Sequence, residues 1–432
     1  MTIESPTRPA GAIVERDFNV VVIGLGYVGL PLVIACVEAG IDVAGFDADP
    51  SIVSELLSGK SHIPDVGDVE LAGALDSSAV LTENPGVIRR ASHVILCVPT
   101  PLGDDRRPDL SAVTKATHTV AQNLSHGTTV ILESTSYPGT TDEIVLPILE
   151  TSGLTAGVDF HVAFSPERTD PGNQTHDRRN TPKIVGGHTP ECGIEAKRFY
   201  ERFVDEVVLV RGTREAEMAK VFENAYRLVN ISLVNEMLVL ATKLGIDFAE
   251  VLEAAATKPF GFMRFNPGPG AGGHCIPVDP MYLAFKADAV GYPLAMVGAA
   301  ASVNAAMPEY VAARGAEVLE RAGVDIEHAQ VLILGVAYKE NVGDTRETPA
   351  AGLVRSLLER RARVTYHDPH VRSWPEFDSL ISRDYSVAPD VSSASLVVVL
   401  QHHAIYEKLD FTQARVVLDA RGRLRGPNIV HI

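Results

Sequence analysis

Residues 18–29 read FNVVVIGLGYVG, and this stretch decides the fold. Phe18–Ile23 is an unbroken run of strand length that passes directly into Gly24-Leu25-Gly26-Tyr27-Val28-Gly29. The residues that follow, LPLVIACVEAG, carry apolar side chains at helical spacing and end at Gly40. A second strand pattern over 42–46 ends at Asp47, 18 residues beyond Gly29. A GxGxxG between strand and helix, with an acid at the end of the next strand, is the pattern of a dinucleotide-binding βαβ unit. Glycines permit the tight turn and the close passage of a pyrophosphate over the helix N-terminus, where free N–H groups and the helix dipole favour an anion. Asp47 would accept hydrogen bonds from a ribose 2′-hydroxyl and repel a 2′-phosphate, which favours NAD over NADP. A glycine-rich turn without a nucleotide is the alternative, and the flanking pattern argues against it. The candidate cofactor residues are therefore Gly24, Gly26, Tyr27, Val28, Gly29 and Asp47.

Further along, strand patterns continue to end in polar residues. The strand at 94–98 ends in Pro99-Thr100-Pro101, which places Thr100 on the nicotinamide side of the crevice, or in a simple turn. A helix at 111–124 leads to a strand at 128–132 and the run Glu133-Ser134-Thr135-Ser136-Tyr137-Pro138-Gly139-Thr140. The strand at 160–164 ends in Ser165-Pro166-Glu167-Arg168-Thr169-Asp170. Glu167, just past a strand end, is a candidate general base, with a solvated loop carboxylate as the alternative. This alternation, up to about residue 211, predicts a doubly wound parallel sheet.

The pattern then changes. Thr213–Leu244 contains no glycine or proline, and its apolar residues recur at helical spacing, so one long helix of roughly 45 Å is expected, with Thr213 as its N-cap. Lys220 and Asn224 stand at i and i+4 and share a face, either as an anion or oxyanion site or as a polar stripe. Helices at 248–256, 280–287 and 294–306 follow. Between them lies the loop PGPGAGGHCIPVDP, residues 267–280, which holds Cys275 and Asp279. A thiol in a loop shaped by glycine and proline could attack a carbonyl once deprotonated, or be a buried structural thiol. A long apolar helix bundle between two α/β domains commonly buries its excess face on another copy, which predicts at least a homodimer.

From about residue 308 a second α/β sheet begins, with a helix at 310–322 and strands at 330–334, 363–366, 396–400 and 416–419. Lys339, Arg346 and Arg421 lie at or just beyond strand ends, where a second nucleotide-like ligand fits. His402 and His403 have no third residue at metal-ligand spacing, so no metal is expected. The fold class is thus α/β, with two doubly wound Rossmann-like domains (18–211 and 308–432) joined by a central helical region (212–307), after a polar lead-in over 1–17.

Composition sets the outer limits. A formal net charge of −17 argues against bulk nucleic-acid or anionic-membrane partners, although a local pocket can oppose it. Apolar residues make up 46% and charged residues 22%, as in an ordinary globular chain, and no apolar run reaches bilayer-spanning length. The four cysteines, Cys36, Cys97, Cys192 and Cys275, are far apart, which predicts reduced thiols and a cytoplasmic setting.

These motifs carry a resemblance. GLGYVGLPL, ESTSYPGTT, SPERTDPGN, AEMAKVFENAYRLVNI, PGPGAGGHCIPVDP and AYKENVGDTRETPA together are similar to the UDP-glucose/GDP-mannose dehydrogenase family, over nearly the whole chain. SPERTDPGN and FNPGPGAGGHCIPVDP look more like the members that oxidise UDP-N-acetylhexosamines, with the UDP-N-acetylglucosamine 6-dehydrogenases nearest. The resemblance implies a four-electron oxidation of a sugar C6 alcohol to a carboxylate with NAD, for surface polysaccharide. It implies that Cys275 forms a thiohemiacetal and then a thioester, and that Glu167 activates the hydrolytic water with Thr135 nearby. Lys220 and Asn224 would stabilise the oxyanion, and Asp279 would act with a water in the first proton removal or position Lys220. Lys339 and Arg421 would bind the UDP part, Arg168 would add to the sugar contacts, and Arg264 would reach a neighbouring subunit's sugar site. One departure is Pro171, which stands where UDP-glucose enzymes have a second glutamate. Rival readings are the same chemistry on UDP-N-acetylmannosamine or UDP-glucose, a single-oxidation hydroxyacid-type dehydrogenase that leaves Cys275 idle, and a non-catalytic nucleotide-sugar sensor.

Overall fold

The computed structural model describes residues 17–432 except 64–65, 104, 171–172, 174 and 383–388, so Pro171 and nearly all of the lead-in lie outside the described residues. The chain divides into two compact units, Met1–Val221 and Phe222–Ile432.

In the first unit, strands β1 (Phe18–Ile23), β2 (Val43–Phe46), β3 (Val80–Thr82), β4 (Ala91–Leu96), β5 (Thr129–Leu132), β6 (His161–Phe164), β7 (Lys183–Gly187) and β8 (Val207–Val210) form one sheet in the order 3-2-1-4-5-6-7-8. The pairs are parallel except β6 with β7, a local departure from the all-parallel expectation. Helices α1 (Gly29–Glu38), α2 (Pro50–Leu57), α3 (Asp68–Ser77), α4 (Ser111–Ala121), α5 (Leu146–Glu150) and α6 (Pro190–Tyr200) connect the strands. Both faces of the sheet are buried: Val20 and Val22 belong to one apolar cluster, Val21 and Ile23 to another. A parallel strand covered on both sides must read as a continuous apolar run, as FNVVVI does.

Helix α7 (Thr213–Leu244) begins in the first unit and continues into the second, and its bounds match the expected helix. Thr213 is already helical, and its hydroxyl donates to Asp142 Oδ2 at 2.8 Å instead of capping the helix. The second unit continues with α8 (Phe248–Ala256), α9 (Asp279–Ala289), α10 (Ala295–Arg321) and α11 (Pro349–Glu359). Its strands β9 (Gln330–Leu334), β10 (Arg363–His367), β11 (Ile381–Ser382), β12 (Leu396–Val399), β13 (Val417–Asp419) and β14 (Ile429–His431) form a wholly parallel sheet in the order 11-10-9-12-13-14. Relative to its first strand this repeats the order of the first six strands of the other sheet, so the second Rossmann-like topology is as expected.

A further expectation fails. The two helices read at 294–306 and 310–322 are a single helix, α10, with Pro308 inside it. Proline removes the bond to the carbonyl four residues back and crowds that turn. Here the ring packs at Gly352, where a Cβ would stand 2.9 Å from Pro308 Cβ, and the glycine leaves the space. Asn304, four residues back, is fixed independently, because its amide pairs with the backbone of Ala271 at 2.6 and 3.1 Å.

Candidate active site

The phosphate turn is built as its sequence requires. Gly24 has φ +90°, and a Cβ there would stand 2.6 Å from Cys97 O; a Cβ on Gly29 would stand 1.8 Å from Gly24 O. A Cβ on Gly26 would meet nothing within 4 Å, which leaves that side of the turn open for a phosphate. No side chain caps the start of α1, where Val28 is the N-cap and Tyr27 is exposed. Asp47 Oδ2 accepts from Leu25 N at 2.8 Å and Oδ1 from Asp49 N at 3.0 Å, so the acid also ties the turn to the end of β2. An open glycine cradle, uncapped helix N–H groups and an acid at the next strand end fit a dinucleotide. Thr100, buried, follows β4.

Leu132 and Phe164 are register partners on β5 and β6, and Thr135 and Glu167 each lie three residues beyond them. The two are thereby brought to the same end of the sheet. Glu167 Oε1 accepts from Arg168 N at 2.8 Å and Thr169 N at 2.7 Å, and Oε2 lies 2.7 Å from Arg178 Nη1 and 3.8 Å from Lys183 Nζ. Burial alone would raise its pKa, but the Arg178 and Lys183 charges and the Thr169 hydrogen bonds hold it well below the usual carboxylate range. Glu167 is therefore an ionised acceptor and a weak proton base, which alters the role expected from its position. Arg168 turns its guanidinium to Pro182 O at 2.6 Å and ties down the same loop. Behind these lies an ion cluster the sequence reading passed over. Glu133, 1% exposed, bonds Lys183 Nζ, accepts from Tyr200 OH at 3.3 Å, and lies 3.9 Å from Arg178.

Lys220 donates its Nζ to Glu167 O at 2.7 Å, so the expected helix-face lysine meets the expected strand-end loop. One turn earlier, buried Glu217 accepts from Gly139 N at 2.5 Å, Thr141 N at 2.8 Å and Thr141 Oγ1 at 2.7 Å. Burial pushes its pKa up to about 7 in spite of those three donors. Glu217 thus fastens α7 to the STSYPGT run.

In the second unit, Cys275 is exposed, in the turn just before α9. Its carbonyl accepts from Asp279 N at 2.9 Å, and Asp279, 1% exposed, accepts from Asn224 Nδ2 at 2.5 Å. The cysteine loop is hung on two asparagines not foreseen from the sequence. Asn235 of α7 accepts from Gly268 N at 2.8 Å, and Asn304 of α10 holds Ala271. The signal for them was available: each is an amide in a helix otherwise apolar on that face, where a buried polar group needs a partner.

Lys339 and Arg421 follow β9 and β13. Arg421 donates Nε to Leu400 O at 3.0 Å and packs over Gly268, where a Cβ would stand 2.6 Å from its Nη1. Arg264 and Arg421 line one cleft of about 790 Å³, together with Arg314, Arg423 and Arg425. Asp247, Glu253 and Glu340 line the same cleft, so its five arginines outnumber its acids despite the overall charge of −17. His402 and His403 turn to different acids, His402 Nε2 to Asp419 at 3.0 Å and His403 Nε2 to Asp368 at 3.1 Å. No helix among the described residues is long and apolar enough to cross a membrane.

Comparison with known proteins covers the whole architecture. Residues 18–204 match the NAD binding domain of the UDP-glucose/GDP-mannose dehydrogenase family, 214–306 its central domain and 332–426 its UDP binding domain. The UDP-N-acetyl-D-glucosamine 6-dehydrogenase of Pseudomonas aeruginosa is 38% identical over 365 residues, 82% of this chain and 84% of that protein. The UDP-N-acetyl-D-mannosamine dehydrogenase of Pyrococcus horikoshii is 33% identical over 421 residues, 95% of this chain and 97% of that one. A solved UDP-D-ManNAc dehydrogenase from Pyrococcus horikoshii superposes with a TM-score of 0.85 at 32% identity, covering 96% of this chain and 98% of that structure.

Proposed function

The chain belongs to the UDP-glucose/GDP-mannose dehydrogenase family and is an NAD-dependent nucleotide-sugar 6-dehydrogenase, and from that premise we propose that it oxidises a UDP-N-acetylhexosamine, UDP-N-acetylglucosamine before UDP-N-acetylmannosamine, to the uronate. The observation that carries the chemistry is Cys275 at the start of α9, with Asp279 and Asn224 hydrogen-bonded behind it. The preference for an N-acetylated sugar is supported by the SPERTDPGN and cysteine-loop motifs and by the 38% identical relative named for that sugar.

The Gly24–Gly29 turn would hold NAD, and two NAD+ in succession would supply the acceptors for the two hydrides lost from C6. Asp279 takes part in removing the first hydroxyl proton through a water. Cys275 Sγ then adds to the aldehyde carbon, the carbonyl π electrons move to oxygen, and a thiohemiacetal forms. Lys220 and Asn224, on one face of α7, stabilise that oxygen while it carries charge. Loss of the second hydride restores the carbonyl as a thioester. Water adds, the C–S bond breaks, and the carboxylate leaves with the thiol restored. We assign Glu167 the orientation of this water as an ionised acceptor, with Thr135 beside it, because its depressed pKa makes it a poor proton acceptor. Thr100 lines the nicotinamide side, and Lys339, Arg421, Arg264 and Arg168 bind the nucleotide sugar. The division into 18–211, 212–307 and 308–432 is retained as part of the proposal, with the catalytic loop in the central part.

None of the four cysteines forms a disulfide, which supports a cytoplasmic setting. A homodimer is supported by the apolar side chains that α7 leaves exposed, among them Phe222 at 60%, Leu233 at 50% and Leu244 at 62%. Sedimentation velocity is expected to give a mass of at least two chains, and a monomer at micromolar concentration would overturn that assignment.

The substrate test is NADH released per mole of sugar from UDP-GlcNAc, UDP-ManNAc, UDP-GalNAc and UDP-glucose. Two NADH per sugar, with the highest kcat/KM on UDP-GlcNAc, is expected. One NADH per sugar returns the single-oxidation class, and a higher kcat/KM on another sugar overturns the substrate assignment alone.

A further inference from the structure

We propose that Gln401 is the positioning residue that sets Lys339 and Arg421 for the nucleotide, an inference that rests on the reading of this unit as the UDP-binding one. Gln401 follows β12, between the two loops that carry those cations, and is 2% exposed. Its Nε2 donates to Ala337 O at 3.0 Å and Tyr338 O at 2.8 Å, the two carbonyls just before Lys339. Its Oε1 accepts from Arg421 Nη2 at 3.1 Å. One amide therefore uses both of its donors and its acceptor to join the Lys339 loop to the Arg421 guanidinium. The alternative amide orientation would set oxygen against two carbonyls and NH₂ against a cation.

The surroundings hold the glutamine to this task. Gly335 has φ +81°, and a Cβ there would stand 2.6 Å from Gln401 Cβ, so a glycine is needed for the side chain to press onto the turn after β9. That turn is held from its other side by buried Asp368, which accepts from Val336 N at 2.8 Å and Ala337 N at 2.9 Å. The backbone of Arg421 is fixed by Asp419, which accepts its N–H at 2.9 Å. The backbones are thus set by aspartates, and Gln401 adds the link from the Lys339 turn to the Arg421 side chain. Asp368 occupies the place, after the second strand of its sheet, that Asp47 holds in the first. Asp368 also accepts from His370 N at 2.9 Å and lies 3.1 Å from His403 Nε2.

The test uses UDP as the probe and isothermal titration on the full chain, with Gln401→Met and Gln401→Glu. Gln401→Met keeps the volume and removes all three bonds. Gln401→Glu keeps an acceptor for Arg421 and sets an oxygen against the two carbonyls. Both variants are expected to weaken UDP about tenfold and to raise KM for the nucleotide sugar by a similar factor, with kcat and NAD affinity within about twofold of wild type. A Gln401→Met chain that melts earlier but binds UDP like wild type would show a merely structural role and overturn the proposal. If Gln401→Met does not fold, normal UDP binding by Gln401→Glu overturns it equally. Wild-type protein that fails to bind UDP overturns the reading of the unit together with the proposal.

Discussion

Cys275→Ala is expected to lower steady-state turnover by at least about 10³-fold, the scale of losing an enzyme's nucleophile. NAD and UDP affinities should stay within about twofold, because the side chain is exposed in the turn before α9. The physical reason is the second oxidation. A free aldehyde has no carbon that readily gives up hydride, whereas its thiol adduct is tetrahedral and does. Cys275→Ser should remain far below wild type, since an alcohol is the poorer nucleophile and the poorer leaving group. The measurement is NADH per active site over time. Full oxidation at an unimpaired rate by Cys275→Ala would remove the covalent step.

The second large effect is on stability. Lys183→Met is expected to destabilise the first unit by about 3–5 kcal/mol, the usual cost of stranding a buried charge. Lys183 is 5% exposed and bonds Glu133, itself 1% exposed, at the centre of the cluster that also holds Arg178 and Glu167. The double variant Lys183→Met with Glu133→Leu should recover a good part of that loss, because removing both charges costs less than leaving one unpaired. Urea unfolding followed by circular dichroism measures this. Trp374, the one tryptophan, lies in the other unit, so its fluorescence serves as the control. A single variant within about 0.5 kcal/mol of wild type would mean that the cluster is solvated in solution. Loss of Lys183 should also raise the Glu167 pKa, since one of the two cations that hold it down is gone.

Much of the site was legible because it sits on local signals. The Gly24–Gly29 turn, Asp47, Lys220 with Asn224, and the Cys275 loop each follow from spacing within a few turns of chain, and each occupies the expected kind of place in the structure. The Glu133–Lys183 pair was not legible. Its members are 50 residues apart, and neither lies in a pattern that marks it as buried and charged. Glu167 was legible as a carboxylate past a strand end, but the Arg178 and Lys183 charges that lower its pKa come from further along the chain. The helices read at 294–306 and 310–322 are one helix because the Pro308 ring finds space at Gly352.

The sequence by itself determined the two largely parallel sheets, the glycine-rich turn after β1 and the length of α7. These depend on periods of two and 3.6 residues and on glycine and proline geometry, all of which act over a few neighbours. Only the tertiary structure decided which charges neutralise one another and which amides tie loops together. Glu217 reaches Gly139 across 78 positions, Asn224 reaches Asp279 across 55, and Gln401 reaches Ala337 across 64. A buried polar group must find a partner wherever the chain happens to pass, and that partner is chosen by the packing of whole elements.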